Sequence, residues 1–191
     1  GTLDPDATGV LPVCLGKATK LCDMLTDKDK TYETVLLLGK TTDTQDISGT
    51  VLSEKSCDGI DNDAVTRCIG EFVGEYLQIP PMYSALKVDG KKLCDLAREG
   101  KTVERQGREI EIYSIDVEAT DYPCDFTLTV ACSSGTYIRT LCEDIGRAIG
   151  CGGVMAALRR LEASGITVDR TYTLEELDGM VEDERWEKII P

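Results

Sequence analysis

Hydrophobic residues recur along this chain in two rhythms, and each predicts a different element. Spacing of three and four places Ala18, Leu21, Cys22 and Leu25 on one side of a helix over 17–25. The same spacing puts Val65, Cys68, Ile69 and Phe72 on one face of an amphipathic helix over 63–76. A third helix is predicted over 136–149, where Ile138, Leu141, Ile145 and Ile149 keep register and Glu143 and Arg147 stand four apart. It opens after Ser-Ser-Gly and closes on the glycines of 150–153 as a C-cap. Alternation takes over elsewhere. Ile110, Ile112, Ile115 and Val117 predict a strand over 102–118, and 126–132 predicts another. YETVLLLG, residues 32–39, is a run of β-branched and large apolar residues ending on glycine, the pattern of a buried strand. Short strands are expected at 50–52 and an extended segment at 158–168, with short helices at 92–98, 174–181 and 184–189. IPPMYSALKVDGKK, residues 79–92, opens on Pro-Pro and carries a Val-Asp-Gly turn, so a loop and hairpin are predicted.

Helices and strands alternate without a regular βαβ rhythm. The expected fold class is therefore α+β, a central mixed and largely antiparallel sheet flanked by helices. At 191 residues, with 41% hydrophobic and 29% charged positions, the chain has the makeup of one globular domain with a real core. No internal repeat interrupts it.

Charge narrows the function. Thirty-five acids against 21 bases leave a net charge of −14, which disfavours a protein that grips nucleic acid with its whole surface but permits a local patch. Such a patch exists in the sequence. Lys87, Lys91, Lys92, Arg98, Lys101, Arg105 and Arg108 are a third of all the bases, crowded between positions 87 and 108, though acids interleave them as on a solvated loop. No apolar window is long enough to span a membrane, and the opening GTLDPDATG has no basic and apolar regions of a signal peptide, so a cytoplasmic protein is expected.

Nine cysteines show no C-x-x-C spacing, and histidine is absent. Neither a zinc site nor a disulfide framework is expected, and mechanisms resting on Ser-His-Asp or Cys-His are excluded. Chemistry must come from carboxylates, tyrosines and arginines. Asp4 sits between Leu3 and Pro5 in a glycine-bounded loop, where Asp-Pro by itself reads first as the start of a turn. Tyr137 and Arg139 fall two apart at the start of the helix after Ser-Ser-Gly; an arginine near a core element needs a carboxylate, but a surface arginine beside a half-buried tyrosine is also an ordinary arrangement.

Six blocks, taken together, resemble the TruB family of tRNA pseudouridine synthases, most closely its bacterial branch, which makes pseudouridine-55 in the T-loop of tRNA. They are GTLDPDATGVLPVCLGKATK (1–20), DKTYE (29–33), GKTTDTQDISG (39–49), IPPMYSALKVDGKKL (79–93), GTYIRTLCEDIGRAIGCGG (135–153) and LRRLEASG (158–165), in the family's order and over nearly the whole chain. The resemblance implies the pseudouridine synthase catalytic fold and roles for individual residues. Asp4 matches the essential catalytic aspartate, Arg139 the arginine that pairs with it, and Tyr137 a second active-site tyrosine placed to handle the proton at C5. Tyr32 matches the tyrosine that stacks on the flipped base, and Leu158 a leucine beside it. The stretch from about 80 to 108 matches a thumb-like insertion that closes on RNA, with Lys87, Lys91 and Lys92 as phosphate contacts. The implied substrate is the T-arm stem-loop of tRNA, with no cofactor, no metal and no protein partner. The family carries a strand upstream of the GTLDP block, and often a small RNA-binding PUA domain after the catalytic one; the expectation is a chain that holds most of the catalytic domain over 1–191 without either. A guide-RNA-dependent rRNA synthase subunit and a non-catalytic RNA-binding or RNA-folding module are the competing readings.

Overall fold

The structure, a computed structural model, describes residues 2–57 and 59–182. In chain order it holds β1 (Thr8–Gly9), a 3₁₀ turn (Gly16–Leu21), α1 (Cys22–Thr26), β2 (Lys30–Leu38), β3 (Lys40–Thr42), β4 (Val51–Glu54), α2 (Asn62–Gly70) and β5 (Gly74–Gln78). There follow β6 (Lys87–Val88), β7 (Lys91–Lys92), α3 (Leu93–Arg98), β8 (Arg108–Ala119) and β9 (Asp125–Cys132). Then come α4 (Ile138–Ile149), β10 (Gly153–Ala163), β11 (Ile166–Thr167), a 3₁₀ turn (Val168–Arg170) and α5 (Leu174–Glu182). One sheet dominates, in the order β1-β10-β2-β9-β8-β5 with β11 on β10. Among the named strands of the described residues only the β1–β10 pair is parallel within it, so the sheet is mixed and largely antiparallel, as expected.

Strand periodicity explains why the sheet folds over one side. In β2 the buried positions are Lys30, Tyr32, Thr34, Leu36 and Leu38, alternating with more open ones. They stand opposite buried residues of β9, with Tyr32 against Val130, Thr34 against Leu128 and Leu36 against Phe126. On that face lie Val65 and Ile69 of α2 and Ile138, Leu141, Cys142 and Ile145 of α4, forming one core with the strands. Each such side chain contributes roughly 1.5–3 kcal/mol on burial. Helix α4 presses unusually close to β10. A Cβ on Gly146 would come within 2.0 Å of the Gly153 nitrogen, so only glycine permits this approach. The helix ends where Gly150 turns left-handed at φ 96°.

Several predicted boundaries move. The helix expected over 63–76 stops at Gly70, and residues 74–78 become edge strand β5, paired with β8. The apolar spacing continues past that point, but pairing with Ile110 and Ile112 and burial of Gln78 outweigh it. The helix expected over 17–25 is a 3₁₀ turn followed by the short α1, and Leu21 and Met24 remain exposed. The strand expected over 102–118 begins only at Arg108. The segment expected over 158–168 begins five residues earlier as β10 and breaks at the Ser164–Gly165 turn, where both residues have positive φ. The short helix expected at 184–189 lies outside the described residues. Among the described residues no helix is long and apolar enough to cross a membrane.

The stretch from 80 to 108 leaves the sheet after β5 and returns as β8. Its hairpin β6–β7 turns on Asp89 and Gly90, at φ 50° and 81°, the positive pair that a two-residue hairpin favours. Helix α3 anchors it through buried Leu93 and Leu96.

Candidate active site

The loop bearing Asp4 is held by a turn and by an edge of the sheet. The Ala7 amide donates to the Asp4 carbonyl at 3.0 Å, closing the turn that Asp-Pro favours. Four residues after Asp4, β1 docks in parallel on β10, with Gly9 opposite Arg160. Gly9 has φ 104°, and a Cβ there would lie 2.2 Å from the Arg160 carbonyl oxygen. The glycine that closes the GTLDPDATG block is thus the residue that lets the Asp4 loop lie against the sheet.

From the first turn of α4, Arg139 reaches Asp4. Its Nε stands 2.8 Å from Asp4 Oδ2 and its Nη2 donates to Oδ1 at 3.0 Å, a two-pronged pair that fixes the plane of the carboxylate. The arginine side chain is 7% exposed and the aspartate 36%. Nη2 also donates to the Tyr83 carbonyl at 3.0 Å and Nη1 to the Thr44 carbonyl at 3.1 Å, while Asp46 Oδ2 lies 3.7 Å from Nη1. One guanidinium therefore ties together the N-terminal loop, the 43–49 loop and the root of the 80–108 insertion. The 43–49 loop is itself braced, because Gln45 accepts from Thr140 at 2.8 Å and donates to Glu143.

Around this pair opens a cleft of about 430 Å³, lined among others by Asp4, Tyr32, Tyr137, Arg139 and Leu158. Tyr32 is 8% exposed on β2; burial pushes its phenol above the ordinary range, against a hydrogen bond from Arg160 that lowers it. It therefore meets a ligand as a neutral ring and hydroxyl. Tyr137 is the N-cap residue of α4, and its backbone is clamped by Gln78 of β5: its amide donates to Gln78 Oε1 at 2.8 Å and its carbonyl accepts from Nε2 at 3.1 Å. Leu158 comes from β10, two positions before Arg160. Arg160, 1% exposed, donates from Nε to the Val10 carbonyl at 2.7 Å. Lys30 donates to the carbonyls of Thr26 and Lys28, and burial, with the Arg160 charge beside it, lowers its ammonium pKa.

The structure brings Asp4, Arg139, Tyr32, Tyr137 and Leu158 to one cleft from four separate stretches of chain. Lys87, Lys91 and Lys92 stand apart from it, exposed on the β6–β7 hairpin, where Lys87 lies directly opposite Lys92. Like charges paired across a hairpin repel, so this arrangement suits an anionic partner. Sequence reasoning missed Asp46, Gln78, Lys30 and Arg160. Asp46 and Arg160 fell inside matched blocks, but only their contacts with Arg139 and Val10 single them out. Gln78 carried no signal, lying between the expected helix over 63–76 and the expected loop and hairpin over 79–92. Among the described residues no group of histidine, cysteine and carboxylate side chains is placed to hold a metal ion.

Comparison with known proteins agrees with this geometry. Residues 1–138 match the TruB family pseudouridylate synthase N-terminal domain, and residues 139–190 match the tRNA pseudouridylate synthase B C-terminal domain. The junction falls in the first turn of α4, within a structure that a single sheet runs through. Curated relatives named tRNA pseudouridine synthase B are similar over 100% of the chain: 53% identical in Ralstonia pickettii, 47% in Cupriavidus metallidurans and 48% in Burkholderia mallei. The chain spans only 61–63% of their length. Among solved structures, a Cbf5-Nop10-Gar1 complex superposes with a TM-score of 0.73 at 29% identity, over 98% of this chain and 46% of that one. An H/ACA RNP bound to a substrate RNA containing 2'-deoxyuridine gives 0.68 at 26%, over 96% and 45%. With a carboxylate, its arginine and two tyrosines in one cleft, and a family match across both parts of the chain, this protein belongs to the TruB family of pseudouridylate synthases.

Proposed function

We propose that this protein isomerises uridine to pseudouridine in the T-arm stem-loop of tRNA, at position 55 of the T-loop, with Asp4 as the essential carboxylate. The observation that carries the reading is the two-pronged Asp4–Arg139 pair at the mouth of an aromatic-lined cleft. In the reaction the C1′–N1 bond breaks, the uracil turns, and a C1′–C5 bond forms. The hydrogen on C5 leaves as a proton and N1 gains one, so atoms and electrons balance with no oxidant, no water consumed and no cofactor. A single oriented carboxylate suffices, as nucleophile or as base.

The remaining roles follow from position. A uridine stacked within RNA must be extruded, which costs about a few kcal/mol. The ring of Tyr32 returns roughly 1–3 kcal/mol by stacking, and Leu158 supplies apolar contact in the same cleft. Tyr137, held by Gln78, offers its hydroxyl for the proton at C5. Arg139 is a positioning residue that orients Asp4. The insertion over about 80–108 acts as a thumb on the RNA, with Lys87, Lys91 and Lys92 on phosphates. Residues 1–191 then carry most of the catalytic domain, working in the cytoplasm and needing no protein partner. The roughly 50% identity to relatives named tRNA pseudouridine synthase B favours tRNA over the substrate of the structural neighbours, a Cbf5-Nop10-Gar1 complex and an H/ACA RNP, which are 26–29% identical.

The test is release of tritium from T-arm RNA labelled at C5 of uridine. Asp4→Asn keeps the shape of the side chain and removes its charge; isomerisation should vanish while RNA affinity stays within about tenfold, a ~1.4 kcal/mol allowance. Ordinary turnover by that variant overturns the assignment.

A further inference from the structure

Two buried side-chain polar atoms among the described residues have no hydrogen-bond partner, Arg105 Nε and Ser84 Oγ. Such orphans are rare in folded proteins and call for an explanation. Arg105 already donates from Nη1 to the Pro80 carbonyl and lines a different cavity, beyond α4. Ser84 is the more informative case. It is 6% exposed and lines the cleft that holds Asp4, Tyr32 and Tyr137.

Its backbone is fixed on both sides. The Ser84 amide donates to the Met82 carbonyl at 2.9 Å, and its carbonyl accepts from the Cys94 amide at 3.0 Å. The preceding carbonyl, of Tyr83, accepts from the same Arg139 Nη2 that holds Asp4. The serine is therefore one peptide bond away from the Asp4–Arg139 unit, on the segment that leads into the basic hairpin. Several other polar side chains around the cleft are committed to protein partners: Arg139 to Asp4, Lys30 to two carbonyls, and Thr136 to the Ser133 carbonyl at 3.0 Å. A change of χ1 by one staggered well carries a serine oxygen about 2 Å. Because Oγ has no protein partner, the turn breaks no hydrogen bond.

We propose that Ser84 is a substrate-contact residue, whose hydroxyl bonds one carbonyl oxygen of the flipped uracil and meets the other once the base has turned. The proposal rests on the synthase reading above. Uracil must turn about the axis through N3 and C6 to exchange N1 for C5. That motion also exchanges O2 for O4, so a donor placed at one carbonyl site finds an oxygen there before and after. A hydroxyl on a rotatable bond suits this task better than a charged group, since it tracks small displacements without desolvating an ion.

The experiment compares wild type and Ser84→Ala in single-turnover pseudouridine formation. The T-arm RNAs carry uridine, 2-thiouridine or 4-thiouridine at the target, sulfur being a poor acceptor. Loss of one hydrogen bond should slow Ser84→Ala on uridine by about tenfold, and RNA affinity, which phosphate contacts dominate, should change by less than about twofold. One or both thio-substitutions should slow wild type, and the same substitution should slow Ser84→Ala little further, the non-additivity expected of two partners in one bond. The melting temperature should be unchanged, because the hydroxyl bonds nothing in the protein. An unchanged rate for Ser84→Ala while wild type turns over overturns the proposal. So does a fully additive thio effect with a lowered melting temperature, which assigns Ser84 to the fold. Absence of turnover by wild type that binds the RNA overturns the synthase reading, and this proposal with it.

Discussion

Replacing Arg139 by lysine keeps the positive charge and removes the fork. The arginine serves four acceptors besides the distant Asp46: both Asp4 oxygens at 2.8 and 3.0 Å, and the carbonyls of Tyr83 and Thr44 at 3.0 and 3.1 Å. A lysine ammonium is a single point with three donors and cannot grip a carboxylate in its plane. Deleting one partner of a buried pair costs about 3–5 kcal/mol. Here the retained charge, and the solvent that reaches a 36%-exposed Asp4, cut the expected loss to about 2 kcal/mol. In a domain of this size each 1 kcal/mol moves the midpoint by roughly 2–4 °C, so Arg139→Lys should melt about 4–8 °C below wild type by calorimetry. Catalysis should suffer more. A carboxylate free to swing by about 1 Å forfeits on the order of a hundredfold in rate, to be read as tritium release from saturating T-arm RNA. Both effects should appear in the same preparation. If the variant melts within about 1 °C of wild type, a difference of under 0.5 kcal/mol, and releases tritium at the wild-type rate, the fork is not what holds Asp4.

Two further perturbations probe the basic hairpin and the core. Lys91→Ala with Lys92→Ala should weaken RNA binding whatever the target base and shallow its salt dependence by about 0.7–0.9 log units per lost phosphate contact; an unchanged slope returns the hairpin to a plain solvated loop. Its rate on saturating RNA should hold, since phosphate contacts position the substrate without touching the base. Burial pushes the Cys132 thiol up to about 11 and the Cys142 thiol up to about 12 from an ordinary 9.0. A thiol whose folded pKa is raised adds stability that is complete below 9 and is lost as pH climbs towards 11–12. The urea midpoint should therefore stay level from pH 7 to 8.5 and fall by pH 10.5, with a shallower fall in Cys142→Ala, and a level midpoint to pH 10.5 in wild type contradicts the burial argument.

Much of this protein was legible in its sequence, for identifiable reasons. Helix α4 and strands β2 and β9 follow from apolar periodicity because each buries one continuous face, and a face is a property of local spacing. The β6–β7 turn follows from Asp-Gly, since few residues accept positive φ in succession. Six ordered blocks carried the family. Tertiary structure decided the rest. Residues 74–78 have helix-compatible spacing, yet they pair with β8 because an open sheet edge offers hydrogen bonds and apolar cover that a longer α2 would forgo. Nothing local marks Gln78 as the clamp on Tyr137, Asp46 as a neighbour of Arg139, or the Ser84 hydroxyl as an orphan. Each depends on segments far apart in the chain meeting at one place. Spacing along a chain reports which side chains share a face, whereas hydrogen bonds and charges are settled by whichever face the fold brings opposite.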